Sequence, residues 1–505
     1  MRLNILIGGG AGQGINKISS IVSQILVKQG YYVFNYRDYP SLIRGGHNFN
    51  VLSISDNQIQ SHESKIDGIV AMDNLTISKH NKELKKKGFI IRPTKFLEYG
   101  LNLNVALSGA LIKILGFGNK ILIEEVKKQL NNKQALEAAN KGFESYDKKY
   151  SLKKLKNKLI IKSGSQGVAD GAVDSKIDLY FGYPMTPSTP VLNILASKQK
   201  KNKLKVIQPE NELAVVNNAL GASFSGAKVM IGTSGGGYDL MAEGLSLQGM
   251  SEIPLVVYLA SRPGPGTGIP TYTMQGDLDV ALRSGHGEFP RVVIAPGTAE
   301  QAIQKTNEAF YFAQKFNTLS IVLSDKHLAE SAFSFKEKAR KILPISMKRK
   351  IPGETIVKAS GYEHDFHGNT TENGEMAIKK TQLRLKKYSE IKKEASKFEM
   401  VQMHGKKASK NLIIGWGSTT GAIIDSIKDL DAKFLQVLYL KPVSKEIKKE
   451  MEKAKKVILI ENNVTGQLGR LIREKTGIKI EKRILRYDGR PFKSDELKKE
   501  LSKWI

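Results

Sequence analysis

The sequence predicts an α/β protein of three domains, and three observations carry that reading. At 505 residues the chain fits about three units on a prior of about 150 residues each. Apolar strand-like runs alternate with helical patterns from the first residue onward. Glycine- and proline-rich patches repeatedly follow such runs, as they do at the strand ends of open sheets. The expected division is a Rossmann-like unit over residues 1–150, a second α/β unit over 160–343, a linker and helix over 344–408, and a third α/β unit over 409–505.

The first unit opens with RLNILIGG as a strand, a glycine loop, and an amphipathic helix over about 16–30. Strands follow at YYVFNY (31–36), NVLSIS (50–55) and GIVAM (68–72), implying a mainly parallel sheet, and three helical segments close the unit. The loop GGGAGQGI (8–15) spaces Gly10, Gly12 and Gly14 as GxGxG, so no GxGxxG dinucleotide fingerprint fits. A strand-to-helix turn of this kind still presents backbone amides to an anion. Its competing readings are a nucleotide site, as in a Rossmann dehydrogenase, and a tight structural turn.

The second unit concentrates the chemistry. FGYPMTPSTP (181–190), QPENE (208–212), GTSGGG (232–237) and SRPGPGTGIPT (261–271) each stand at the end of a hydrophobic run. Glycine and proline there let backbone approach a ligand, while Thr, Ser, Arg and Glu offer polar contacts. Arg262 follows the run IPLVVYLA, and Arg is suited to bidentate carboxylate binding; the alternative is a surface ion pair. Either Glu210 or Glu212 could instead favour the first turn of the next helix. The polar segment 360–375 holds His364, Asp365 and His367, readable as metal ligands or, more economically, as a hydrogen-bonded loop. A charged helix over about 375–398 leads to the third unit, with strands at NLIIGWGS (411–418), FLQVLYLKP (434–442) and KVILIENN (456–463).

Composition narrows the function. There is no cysteine, which excludes disulfides, a thiol nucleophile and cysteine-ligated iron–sulfur clusters within these residues. The histidines show no zinc spacing, so no metal site is assigned. The net charge of +30 comes mostly as scattered Lys runs with few interleaved aromatics. They read as solvated helix faces rather than a nucleic-acid surface. The longest apolar run, of eight residues, is far too short to cross a bilayer, and the first residues read as a strand rather than a signal peptide. A cytoplasmic location is expected.

Five patches in order resemble the alpha subunit of 2-oxoacid:ferredoxin oxidoreductases: YPMTP (183–187), QPENE, GTSGGG, SRPGPGTG and SGHGEFPR (284–291). GAGQG (10–14) and IRGGH (43–47) resemble the family's gamma domain, fused ahead of the alpha domain in some members. ENNVTGQL (461–468) and RYDGRPF (486–492) extend the likeness, and the third unit resembles a transketolase carboxyl-terminal domain.

The resemblance implies a thiamine-diphosphate pyrimidine-binding domain over 160–343 and oxidative decarboxylation of a 2-oxoacid to acyl-CoA, with coenzyme A as co-substrate and ferredoxin as acceptor. It assigns Glu210 to the cofactor's aminopyrimidine, with Glu212 as its rival. Gly235 and Gly236 line the cofactor, and Tyr183, Thr186, Arg262 and Thr271 hold the substrate. Gly10, Gly12, Gly14, Arg44 and His47 mark the gamma-domain loop, whose role would lie in coenzyme A handling or assembly. His286 and Glu288 are weaker candidates. No GDG motif is present, so magnesium, the diphosphate and an iron–sulfur cluster are expected on a separate beta subunit. One departure stands out: the family's acid in GNEAxAxGA is Gln166 here. The remaining alternative is a family paralogue with altered chemistry.

Overall fold

A computed structural model describes residues 1–41, 46–345, 350–355 and 357–505. Two compact units emerge. The first comprises 1–163, 331–339 and 493–504; the second comprises 164–330, 340–492 and residue 505.

The first unit is built on a seven-stranded sheet in the order Leu84–Ile91, Ile66–Ala71, Arg2–Gly10, His47–Ser55, Tyr32–Asp38, Ala332–Lys336, Leu159–Ser163. Only two of its pairings are parallel, those of Ile66–Ala71 with Arg2–Gly10 and with Leu84–Ile91. The other four are antiparallel, which corrects the expected mainly parallel sheet. Chain length explains it: the connection from Tyr32–Asp38 to His47–Ser55 is too short for the crossover of a dozen or more residues that parallel neighbours need.

The Lys-rich run 82–88 also departs from the expected helix face. It enters Leu84–Ile91, an edge strand with Lys86 and Lys87 exposed. Lysines on an edge discourage pairing with another chain. The helices Ile15–Lys28, Leu103–Leu115, Asn119–Gln129 and Lys133–Glu144 form where the apolar periodicity places them. Gly142 and Gly109 let two of these helices touch, since a Cβ at Gly142 would lie 1.9 Å from the Ala106 carbonyl oxygen.

The second unit contains two sheets. The larger runs Tyr439–Lys441, Arg291–Ile294, Leu319–Asp325, Leu255–Ser261, Val229–Thr233, Leu179–Phe181, Lys205–Ile207. All its pairings are parallel except that of the edge strand Tyr439–Lys441. Its central strands are continuous apolar runs because helices cover both faces; all seven residues of Leu255–Ser261 are buried. The smaller sheet runs Val401–Gly405, Lys433–Val437, Asn411–Trp416, Lys456–Glu461, Lys482–Leu485 and is parallel except for its first strand.

The run 434–442, expected as one strand, is two. The chain leaves the smaller sheet at Val437 and joins the larger at Tyr439, so this segment staples the two sheets. One apolar cluster joins both, from Val257 and Ile321 to Leu435, Ile414 and Leu459. The polar segment ends in a helix, Gly374–Ala395. Within it the Asp365 carboxylate accepts backbone N–H bonds from His367 and Asn369, the geometry of a self-closed loop. Among the described residues no helix is long and apolar enough to cross a membrane.

Candidate active site

Four of the patches gather at the carboxyl-terminal edge of the larger sheet. Residues 182–188 follow Leu179–Phe181, 208–211 follow Lys205–Ile207, Ser234 follows Val229–Thr233, and Arg262 follows Leu255–Ser261. Parallel strands with right-handed helical crossovers leave their ends together as an open crevice, which is where ligands bind in such sheets. The fifth patch is not there. SGHGEFPR precedes the strand Arg291–Ile294, so His286 and Glu288 lie at the opposite edge; His286 Nδ1 bonds the Ser246 hydroxyl at 2.9 Å.

The two glutamates of QPENE differ sharply. Glu210 is exposed in a bend, whereas Glu212 is the first residue of the helix Glu212–Phe224 and only 4% exposed. The helix cap is neither of them: Asn211 Oδ1 accepts from the Ala214 N–H at 2.8 Å. Among the described residues, Glu212 Oε1 is buried with no hydrogen-bond partner. Its neighbour is Gly237, where a Cβ would come 2.7 Å from that same oxygen and 2.2 Å from Thr233 Oγ1. A buried carboxylate oxygen is costly to leave unbonded, so its place at this edge marks it as a group awaiting a donor. The geometry therefore favours Glu212 over Glu210 as the inward-facing acid. The Asn at the fourth position of QPENE was the available signal, because as the cap it puts Glu212 in the first helical turn.

Arg262 is half-buried, and its Nη1 donates to the Thr186 carbonyl oxygen at 2.9 Å, joining the SRPGPG and YPMTP patches. Burial lowers its guanidinium from the usual value, and the Asp277 carboxylate opposes that shift. Thr271 is buried, while Tyr183 stands 39% exposed at the mouth of the crevice. Gly235 and Gly236 open the helix Gly235–Leu240; a Cβ at Gly235 would lie 2.6 Å from Asp277 Oδ2, and one at Gly236 would meet nothing within 4 Å. Gln166 is exposed on the helix Gly164–Asp174.

Asp277, the last residue of QGD (275–277), belongs to none of the patches that sequence reasoning singles out. Burial pushes its carboxyl up to about 6; the Asp239 charge adds to this, and the Ser261 hydroxyl and Arg262 pull against it. The ENNVTGQL element fixes its loop. Gln467 Nε2 donates to the Gly276 carbonyl oxygen at 2.7 Å, and Gln467 Oε1 accepts from the Leu278 N–H at 3.0 Å. Glu461 in turn accepts bonds from the Trp416 indole at 3.0 Å, Asn463 at 2.8 Å and the Leu468 N–H at 3.0 Å, which offset the burial of its charge.

In the first unit, Gly12 and Gly14 take φ of 86° and 90°, which only glycine adopts readily, and the Gly10 N–H donates to Gln13 Oε1 at 2.8 Å. His47 Nε2 and His80 Nε2 lie 2.8 Å apart. Burial, then the His80 charge, pulls His47 down to about 4, so the His47 ring is neutral at physiological pH. Arg44 lies outside the described residues.

Residues 170–402 match the family described as pyruvate flavodoxin/ferredoxin oxidoreductase, thiamine diP-binding, and residues 4–100 match pyruvate ferredoxin/flavodoxin oxidoreductase. The 2-oxoacid:ferredoxin oxidoreductase subunit alpha of Sulfolobus sp is 30% identical, with 100% of this chain and 97% of that one aligned. The 2-oxoacid:ferredoxin oxidoreductase 1, subunit alpha, of Sulfurisphaera tokodaii is also 30% identical, with 100% of this chain and 98% of that one aligned. Among solved structures, 2-oxoglutarate:ferredoxin oxidoreductase from Magnetococcus marinus, described with 2-oxoglutarate, coenzyme A and succinyl-CoA bound, superposes with a TM-score of 0.89 over 99% of both chains at 23% identity, a likeness of fold. With full-length relatives at this identity, the chain belongs to the family of 2-oxoacid:ferredoxin oxidoreductase alpha subunits.

Proposed function

We propose that this chain is an alpha subunit, fused to a gamma domain, that works with a separate beta subunit to convert a 2-oxoacid and coenzyme A into acyl-CoA and carbon dioxide, passing two electrons to ferredoxin. The observation that carries the reading is Glu212, a buried carboxylate with an unbonded oxygen beside a glycine turn at the carboxyl edge of a parallel sheet. That orphaned atom fits the ring nitrogen of the thiamine diphosphate aminopyrimidine. When bound, thiamine diphosphate supplies a nucleophilic carbon and an electron sink for the keto group. Glu212 would accept a hydrogen bond at that ring nitrogen and hold the proton there, with Gly235 and Gly236 giving the backbone room to approach.

Arg262 would bind the substrate carboxylate as a forked, charge-assisted donor, and its bond to the Thr186 carbonyl orients the fork. The hydroxyls of Thr186 and Thr271 complete the carboxylate and keto contacts, and Tyr183 shapes the entrance. The sequence motifs and the lack of cysteine in these residues support a beta partner holding the diphosphate, magnesium and the iron–sulfur cluster. The gamma-domain loop at Gly10, Gly12, Gly14 and His47, with Arg44 beside it in sequence, is assigned to coenzyme A handling or assembly. We also retain a cytoplasmic location and the three-domain division, with residues 160–343 as pyrimidine-binding and 409–505 as transketolase-like.

The decisive experiment compares Glu212→Gln with Glu210→Gln in the reconstituted complex. Glu212→Gln should abolish most turnover while the complex still assembles, and Glu210→Gln should stay near wild-type. The opposite ranking returns the role to Glu210, and full activity in both overturns the thiamine assignment.

A further inference from the structure

A cavity of about 550 Å³ opens at the amino-terminal edge of the larger sheet and is lined by Arg283, Arg291, Arg384, Lys441 and Lys475. Its floor is the turn 287–290 ahead of the strand Arg291–Ile294. Its walls come from the helix Gly374–Ala395, from Lys441 at the end of its edge strand, and from the last turn of the helix Gln467–Thr476. Strands begin here rather than end, so the cavity is separate from the candidate active site.

Three of the five cations have carboxylate partners. Arg283 pairs with Glu474 at 2.6 Å, Lys475 pairs with the same acid at 2.8 Å, and Arg384 pairs with Glu363. Among the described residues, Arg291 and Lys441 form no ion pair. Arg291 is only 3% exposed; it lies over the Phe289 ring at 4.4 Å and directs one N–H toward the Ala281 carbonyl oxygen at 3.4 Å. Lys441 is half-buried, with Tyr388 as its aromatic neighbour at 5.8 Å.

Two inward charges without counter-ions are unfavourable for the fold alone, because burial strips their water and each repels the other. Burial pulls the Lys441 ammonium down to about 8, the charges of Arg291, Lys475 and Arg283 push the same way, and Glu474 opposes them. Among the described residues, Glu288 is the one carboxylate on the lining itself. Such an arrangement is relieved when a ligand brings the missing negative charge.

We propose that this cavity binds a small phosphate-bearing polyanion, with Arg291 and Lys441 at its base and Arg283, Arg384 and Lys475 at its rim. The volume suits a small molecule rather than a protein segment. Guanidinium forks match phosphate oxygens in pairs, and the Phe289 and Tyr388 rings lie against Arg291 and Lys441.

Inorganic pyrophosphate is the probe, titrated calorimetrically into the full chain at pH 7 and fixed ionic strength. Saturable binding of one pyrophosphate per chain is expected, weakened at least tenfold in Lys441→Met and several-fold in Arg283→Gln. Affinity should fall between pH 7 and 9 as Lys441 loses its proton. Unliganded Lys441→Met should melt no lower than wild type, since it removes a crowded charge. Should that variant fail to fold, Arg283→Gln, at a side chain 62% exposed, decides alone. Absence of saturable binding, or binding of equal strength in wild type and variants, overturns the proposal.

Discussion

Gln275 and Asn462 bond each other twice: the Gln275 N–H donates to the Asn462 carbonyl oxygen at 2.7 Å, and the Asn462 N–H donates to Gln275 Oε1 at 2.8 Å. Gln275 Nε2 also donates to the Trp416 carbonyl oxygen at 2.8 Å, and both residues are buried. The smaller sheet thus clamps the loop that carries Asp277 toward Arg262. Gln275→Ala would leave the Asn462 N–H without its acceptor in a dry setting, while the Trp416 carbonyl would keep the Thr419 hydroxyl at 2.7 Å. An orphaned buried group of this kind costs about 1–3 kcal/mol. Urea unfolding of the chain should show a loss of that order, and a variant as stable as wild type would mean the loop is held by other contacts.

Gly236 and Gly237 are adjacent but should respond oppositely to alanine. A methyl at Gly237 meets Thr233 Oγ1 and Glu212 Oε1 at distances no real contact allows, and Thr233 is fully buried. Overpacking of that kind costs about 1–3 kcal/mol and displaces the carboxylate. A methyl at Gly236 meets open space, so Gly236→Ala should keep stability within about 0.5 kcal/mol. If cofactor fills that space, Gly236→Ala should nonetheless lose turnover in the complex. Thermal melts and activity on both variants separate the effects; an undiminished rate in Gly236→Ala would remove Gly236 from the cofactor contacts.

The larger sheet was readable because its strands are uninterrupted apolar runs ending in glycine and proline, a local signal that survives without partners. The split of 434–442 was not, since Val437 and Tyr439 are equally apolar and only the sheets they join distinguish them. The antiparallel pairings of the first unit were hidden for a similar reason: strand direction depends on connection length, not on the composition of the strand. At the site, Arg262 was legible as a cation at a strand end. Which of Glu210 and Glu212 is buried follows from Asn211 capping the helix, and Asp277 draws its environment from Gly235 and Arg262, distant in sequence. The inward cations Arg291 and Lys441 come together because β-pairing sets Lys441 opposite Val293.

Asp277 makes a signed prediction for pH. An unfolded aspartate titrates near 3.9 and the folded one near 6, because burial disfavours its charge. The folded state therefore holds the proton more tightly. The resulting stability is fully present below about pH 4 and is lost as pH rises through 6, by up to about 3 kcal/mol. Asp277→Asn cannot titrate, so wild type should lose stability relative to this variant across pH 4–6. Parallel denaturant midpoints for the two proteins over that window would show that Asp277 is ordinarily solvated.

Arg262→Met tests the substrate assignment. The guanidinium is fixed to the Thr186 carbonyl at 2.9 Å, which leaves its remaining N–H donors for a carboxylate in the crevice. Removing a charge-assisted bond of this type costs about 1.5–3 kcal/mol, or on the order of tenfold to a hundredfold in kcat/KM. The loss should fall on every 2-oxoacid, because all carry the same carboxylate next to the keto group. Affinity for thiamine diphosphate in the complex should be nearly unchanged, since the diphosphate is assigned to the beta subunit. Steady-state kinetics with pyruvate, 2-oxoglutarate and a branched-chain oxoacid, together with a cofactor titration, checks both parts. Undiminished, wild-type efficiency with all three acids would refute the carboxylate role, and a collapse of cofactor affinity would move Arg262 to the cofactor or subunit contact. A selective loss for 2-oxoglutarate alone would instead place Arg262 on the distal carboxylate, leaving the common carboxylate to the Thr186 and Thr271 hydroxyls.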